Sequence, residues 1–237
     1  MIITRQHVFE LGVEQFVRAQ TNAALLSGHD VEMALGALRR AVLPMHPDRP
    51  KNWDGLLALH HAMELSAPDD AVLDAGAEVY SAFLPALRAL GRERLTGINL
   101  TIEGERDEAG IVYRQGDITA APFADGRFGF IACLSVIEHG VDIAAFLREQ
   151  ARLLRPGGHL FVSFDYWDTP VDTRGQTAYG APIHILTRED VAAMVAGAQE
   201  VGLLPTGRFR PECREQVVHW HRFGLHYSFA NLLLRRV

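Results

Sequence analysis

Directly after the apolar run FGFIACL the chain carries Ser135, Glu138 and His139. A hydroxyl, a carboxyl and an imidazole in so short a stretch can bind a polar ligand or move a proton. Three further positions have chemistry of their own. Gly76-Ala77-Glu78 follows AVLDA, and its small residues let backbone N–H groups approach a ligand before the next helix begins. Asn99 follows LTGI, where a hydrogen-bonding side chain can hold ribose hydroxyls in nucleotide-binding α/β folds. Gly116-Asp117-Ile118 follows VYRQ, where the carboxylate can accept from an exocyclic adenine amine while Ile118 packs on the ring. Plainer roles compete at each place: a strand-to-helix turn at Gly76, a strand-end turn at Asn99, an Asp117 turn with Thr119, and a helix cap at Glu138 and His139.

These residues need elements to hold them. From Phe128 to Ser163 the chain reads strand, acidic-His turn, helix VDIAAFLREQARLL, a Pro156-Gly157-Gly158 turn and strand HLFVS, which is one βαβ unit with parallel strands. Parallel α/β sheets bind ligands beyond the carboxyl ends of their strands. Further strands are expected at AVLDA (71–75), RLTGINL (94–100) and IVYRQ (111–115), with helices at SAFLPALRAL and DVAAMVAGAQEVG. Pro85 fits the first of these helices only near its start, and Thr187 with Asp190 forms a capping box for the second. GLLPTGRF and LHYSFANLLLRR lack a long helix between them and are expected to pair antiparallel. Residues 8–65 read as helices separated by loops, including the proline-rich LPMHPDRPKNWD. The expected organisation is a helical N-terminal extension or lid over 1–67 and a main α/β domain over 68–237.

With 237 residues, 48% hydrophobic and 22% charged, the chain suits one large domain with an appendage. A net charge of −6 leaves no broad basic field, so a nucleic-acid partner is not expected. Cys133 and Cys213 are the only cysteines and form no Cys-x-x-Cys pair, which argues against a disulfide framework and a zinc site. His184, His219, His221 and His226 lack carboxylate or thiol companions at ligand spacing, so no metal is expected there. The first residues lack the features of a signal peptide and no apolar run reaches membrane length, so a cytoplasmic location without a membrane partner is expected.

Taken in order, VLDAGA, TGINL, GDI, FGFIACLSVIEH and LLRPGGHLFVS resemble the class I S-adenosylmethionine-dependent methyltransferases, over roughly Pro68 to Gly202. The resemblance implies a doubly wound, mostly parallel seven-stranded α/β sheet whose last strands are antiparallel, with S-adenosylmethionine as cofactor. It assigns cofactor contact to Gly76, Ala77, Glu78, Asn99, Leu100, Asp117, Ile118, Leu134 and Ser135, with Trp53 before the first strand either covering the cofactor or packing the helices onto the sheet. Two departures stand out: the loop has one glycine where the family usually has several, and Asn99 is neutral where the family usually has an acid. Glu78 and Glu103 are the candidates to compensate. A neutral contact is roughly half as strong as a charge-assisted one.

The implied reaction is methyl transfer to a small polar organic or glycan acceptor, with oxygen slightly favoured. The sulfonium methyl is already electrophilic, so the protein has to align the acceptor, exclude water and, for oxygen, supply a base. His139 leads as that base, with Asp165 second and Tyr166 and Trp167 nearby. The irregular stretch from Asp165 to His184 is expected to recognise the acceptor. The alternative is a protein of the same fold that binds the cofactor with little or no turnover. A nicotinamide-dependent oxidoreductase is disfavoured, because the loop lacks the Gly-x-Gly-x-x-Gly spacing a pyrophosphate needs.

Overall fold

Side chains alternate between the two faces of a strand, and here both faces are apolar and covered. The computed structural model describes residues 11–78 and 80–237; residues 8–10 of the first expected helix and Val79 of the glycine loop lie outside the described residues. Among the described residues three helices come first, α1 (Leu11–Gln20), α2 (Gly28–Arg40) and α3 (Lys51–Leu65). Then follow β1 (Ala71–Ala75), α4 (Phe83–Ala89), β2 (Leu95–Asn99), β3 (Glu105–Glu108), β4 (Ile111–Gln115) and β5 (Phe128–Leu134). The second half contains α5 (Ile143–Leu153), β6 (Leu154–Tyr166), the short β7 (Thr177–Ala178) and β8 (Ala181–Pro182), and α6 (Arg188–Glu200). It closes with β9 (Leu203–Pro205), β10 (Val218–Trp220) and β11 (Leu225–Arg236).

The main sheet runs in the order β10-β11-β6-β5-β1-β2-β4-β3, with β9 also paired to β11. β6, β5, β1, β2 and β4 are mutually parallel, and β11 joins β6, β9 and β10 antiparallel. The expected α/β class and the antiparallel end are thus present, but the sheet has nine strands rather than seven. The additions are β10 and β3. β3 reads ERDE and carries no apolar alternation; it folds back on β4 through Ala109 and Gly110, both at positive φ, as a two-residue hairpin turn requires.

Val72, Phe130 and Phe161 point to the layer formed by α1 to α4, and their neighbours Leu73, Ile131 and Val162 point to the layer containing α5 and α6. Each fully buried side chain of this size contributes about 1.5–3 kcal/mol. The chain leaves β1 towards β2 and later returns to β5 on the other side of β1, so the strand order reverses between β1 and β5. A crevice opens beyond the carboxyl ends at such a reversal.

Two local expectations change. The Pro156-Gly157-Gly158 segment is not a free turn: α5 ends at Leu153, Leu154 already pairs with Phe128, and the segment is the irregular first part of β6, with Gly157 at φ +77. Asp142, not Glu138 or His139, caps α5 by accepting from Ala145 N–H at 2.9 Å. The Thr187–Asp190 capping box is present.

At the amino ends of the strands the charges are paired. Arg155 binds Asp70 through two bonds, of 3.1 and 2.7 Å. The buried Arg92 donates to the carbonyls of Ala62, Ser66 and Ala67, joining the end of α3 to the sheet. No helix among the described residues is long and apolar enough to cross a membrane.

Candidate functional site

The carboxyl ends of β1, β2, β4 and β5 surround a cavity of about 530 Å3, roofed by α3 and the loop before it. Gly76 sits at φ +102, and a Cβ there would lie 2.4 Å from Val136 Cγ2, so glycine is required both by backbone and by space. The N–H groups of Gly76 and Ala77 both donate to Ile98 C=O, at 2.8 and 3.0 Å, so they close the loop onto β2 rather than face the cavity. Ala77 is buried and does not line the cavity; its methyl fills the space that Gly97 leaves open. Its expected cofactor contact is corrected to packing.

Asn99 lies at the mouth with both ends of its amide engaged. Its Nδ2 donates to Gly76 C=O and to Glu78 Oε1, each at 3.2 Å, and its Oδ1 accepts from Thr101 N–H and Oγ1, each at 3.1 Å. Asn99 therefore holds the carboxylate of Glu78 at the rim where the acid was missing. Glu78, Asn99 and Leu100 line the cavity, whereas Glu103 is exposed outside it. Asp117 and Ile118 line it as well. Asp117 Oδ1 accepts from Thr119 N–H at 2.8 Å and Oγ1 at 2.7 Å, so it makes the turn and faces the cavity at once.

Leu134 and Ser135 form the β5 wall. Ser135 is one of the few described non-glycine residues at positive φ, +53, and its buried Oγ has no hydrogen-bond partner. A strained residue with an unsatisfied hydroxyl on a cavity wall has a donor and acceptor to offer whatever enters the cavity. His139 lines the cavity beside Tyr179, with ring centroids 4.8 Å apart. Burial, with the Lys51 ammonium second, pulls its pKa down to about 4, so the imidazole is neutral near pH 7.

Besides Ala77, two more expected residues miss the cavity. Trp53 is fully buried and donates from Nε1 to Gln20 Oε1 at 3.1 Å, because it points into the helical layer rather than over the crevice. Asp165 is buried behind the wall, where its N–H donates to Glu138 Oε1 at 3.3 Å. Burial pushes Asp165 up to about 7 and Glu138 well above the carboxylate range, with mutual repulsion adding to the latter. Tyr166 is buried too, its hydroxyl donating to Asp168.

The residues that sequence reasoning passed over are neighbours of those it chose. Lys51 and Asp54 share the cavity face of α3, three positions apart, while Trp53 between them lies on another face. Asp54 accepts from Ser163 Oγ at 2.5 Å, and burial raises it to about 6. Asp74, inside the VLDAGA motif, lines the cavity, accepts from Ser81 Oγ at 3.2 Å and is raised by burial to about 7. Asn52 fastens the preceding loop, accepting from His46 N–H and donating to the carbonyls of His46, Asp48 and Arg49. Within the irregular 165–184 stretch, β7 and β8 form a hairpin whose Tyr179 reaches the cavity. His184 pairs with Asp190 at 3.4 Å, apart from the ring cluster of His219, His221 and His226.

Residues 73–162 match the family described as Methyltransferase domain. A demethylmenaquinone methyltransferase of Mycolicibacterium vanbaalenii is 35% identical over 124 residues, covering 52% of this chain and 52% of that protein. A ubiquinone biosynthesis O-methyltransferase of Marinobacter nauticus is 31% identical over 86 residues, 32% of this chain and 36% of that one. The chain thus spans about half the length, or less, of these curated relatives. An S-adenosylmethionine-dependent methyltransferase of Mesorhizobium loti shares the fold with a TM-score of 0.54 at 16% identity, over 78% of this chain and 98% of its own.

Proposed function

Because the chain belongs to the class I S-adenosylmethionine-dependent methyltransferases, we propose that it transfers a methyl group to a small polar organic acceptor, oxygen being the favoured atom. The observation that carries this reading is a neutral His139 on the wall of the same cavity that Glu78, Asp117 and Ser135 line. The orphaned Ser135 hydroxyl and the carboxylate at the rim fit the cofactor. When bound, S-adenosylmethionine supplies an electrophilic methyl. Glu78, held by Asn99, is suited to the ribose hydroxyls, and Asp117 with Ile118 to the adenine. Asn99 acts on the ribose through Glu78 in this reading, which restores the charge-assisted contact that its own amide cannot make.

His139 is the group placed to take a proton from an acceptor hydroxyl, and general-base help of this kind is worth ~10²–10⁴ in rate. Asp165, screened from the cavity, is assigned a supporting place behind Glu138. Relatives named as a ubiquinone biosynthesis O-methyltransferase and a demethylmenaquinone methyltransferase support a small organic acceptor over a polymer. The described part of the helical extension, residues 11–67, serves in this reading as the cover of the site through α3. The test is calorimetric titration with S-adenosylmethionine and S-adenosylhomocysteine, followed by a panel of hydroxylated acceptors. Micromolar binding and methyl transfer that falls at least a hundredfold in His139→Asn are expected. No binding at millimolar cofactor overturns the proposal.

A further inference from the structure

Lys51 is the first residue of α3, where the helix dipole disfavours a cation. Its side chain nevertheless lies on the cavity wall, largely withdrawn from solvent, and no described carboxylate forms an ion pair with it. Glu138, Asp165, Asp54 and Asp48 surround it at longer range, and His46, His139 and Tyr80 face it from the other elements. Burial alone lowers its pKa, but the fields of Glu138 and Asp165, then Asp54 and Asp48, outweigh that effect and raise it. Two of those carboxyls, Glu138 and Asp165, are themselves raised by burial. Tyr80, Tyr179, His46 and His139 add flat rings to the same cavity.

We propose that Lys51 binds the oxyanion of a planar hydroxyaromatic acceptor, the phenolate formed when the acceptor gives its proton to His139. The O–H bond breaks, an imidazole nitrogen gains the proton, and the electron pair stays on the oxygen opposite the ammonium. This inference rests on the proposed methyltransferase reading, since it identifies the acceptor of that site. An ammonium with no ion pair among the described residues, set in a low-dielectric wall, favours the anionic form of a neighbouring hydroxyl, while the rings select a flat body. A carboxylate acceptor needs no base, so a neutral imidazole beside the ammonium favours the phenol.

The probe is 4-nitrophenol, which turns yellow on ionisation, added to protein saturated with S-adenosylhomocysteine. Bound probe is expected to ionise at least about one pH unit below free probe, a tenfold change in its acid constant. Lys51→Met should cancel most of that shift and Lys51→Arg should keep it, with S-adenosylhomocysteine affinity and thermal midpoint as checks on folding. Should Lys51→Met fail to fold, wild-type protein still decides the matter. At pH 8, 4-nitrophenol should bind at least about tenfold tighter than 4-nitroanisole, which cannot ionise. Equal binding of the two, no binding of 4-nitrophenol, or a shift unchanged in folded Lys51→Met overturns the inference. Failure of S-adenosylhomocysteine itself to bind overturns the methyltransferase reading instead.

Discussion

The two ends of the parallel strands treat charge in opposite ways. At the amino ends Asp70 meets Arg155 through two bonds, and the Arg92 guanidinium is bonded to three carbonyls. At the carboxyl ends Asp54, Asp74, Glu138 and Asp165 are buried with no arginine partner among the described residues, and the Lys51 ammonium reaches Glu138, Asp165 and Asp54 through its field without a described ion pair. Paired charges lower the free energy of the fold, whereas buried carboxyls with raised pKa values raise it. One end of the sheet pairs its charges, and the other buries its carboxyls on and behind the cavity wall.

The sharpest way to break that contrast is Gly76→Val. The branched side chain meets Val136 and must adopt positive φ, so roughly a 100-fold or greater loss of S-adenosylmethionine affinity is expected by calorimetry. Gly91→Ala serves as the control at the other end: it also has positive φ but open space, and should cost about 1 kcal/mol of stability with cofactor affinity unchanged.

Asp74→Asn tests the buried carboxyls. A group raised from 3.8 to about 7 is favourable when protonated, so folded-state stability falls as pH rises from about 4 to about 7 and stays low above. The asparagine variant should flatten that decline and gain about 2–4 kcal/mol at pH 8, measured by urea unfolding across pH. A variant less stable than wild type at pH 8 would place an ion partner beside Asp74.

Glu78→Gln should weaken S-adenosylmethionine about tenfold, near 1.4 kcal/mol. Asn99→Ala should do much the same, and the double variant should lose little more, because the amide acts through the carboxylate. Additive losses would show that Asn99 contacts the cofactor itself. The smallest effect belongs to the paired end. Asp70→Ala should cost about 1 kcal/mol or less, since Arg155 is partly exposed. The Arg155 bond holds the Asp70 pKa down, so this contribution is present above the unfolded-state pKa and disappears as pH falls through the depressed one.

Most of the sheet was legible because its apolar runs alternate without interruption, from Val72–Leu73 through Phe161–Val162. β3 was not, since ERDE is a solvated edge whose pairing depends on the Ala109-Gly110 turn rather than on burial. In the site, Gly76, Glu78, Asn99, Asp117, Ser135 and His139 could be located because they follow strand ends in order. Lys51 and Trp53 could not be ranked from sequence. They stand two positions apart at the start of α3, and only the register against α1, fixed by the Trp53 bond to Gln20, decides which faces the cavity. Asp165 misled because β6 continues through Tyr166, so a residue that seemed to follow the strand is inside it. Asn99 was read as a weakened contact because its link to Glu78 joins residues 21 positions apart.

The contact between Gly76 and Val136 has a consequence for anyone diversifying this protein. Sixty positions apart in the chain, the two share one small volume, so they behave as a single two-letter word rather than as independent sites. Libraries that randomise position 76 will consist almost wholly of failures, because a smaller residue at 136 frees the space but leaves the backbone at φ +102.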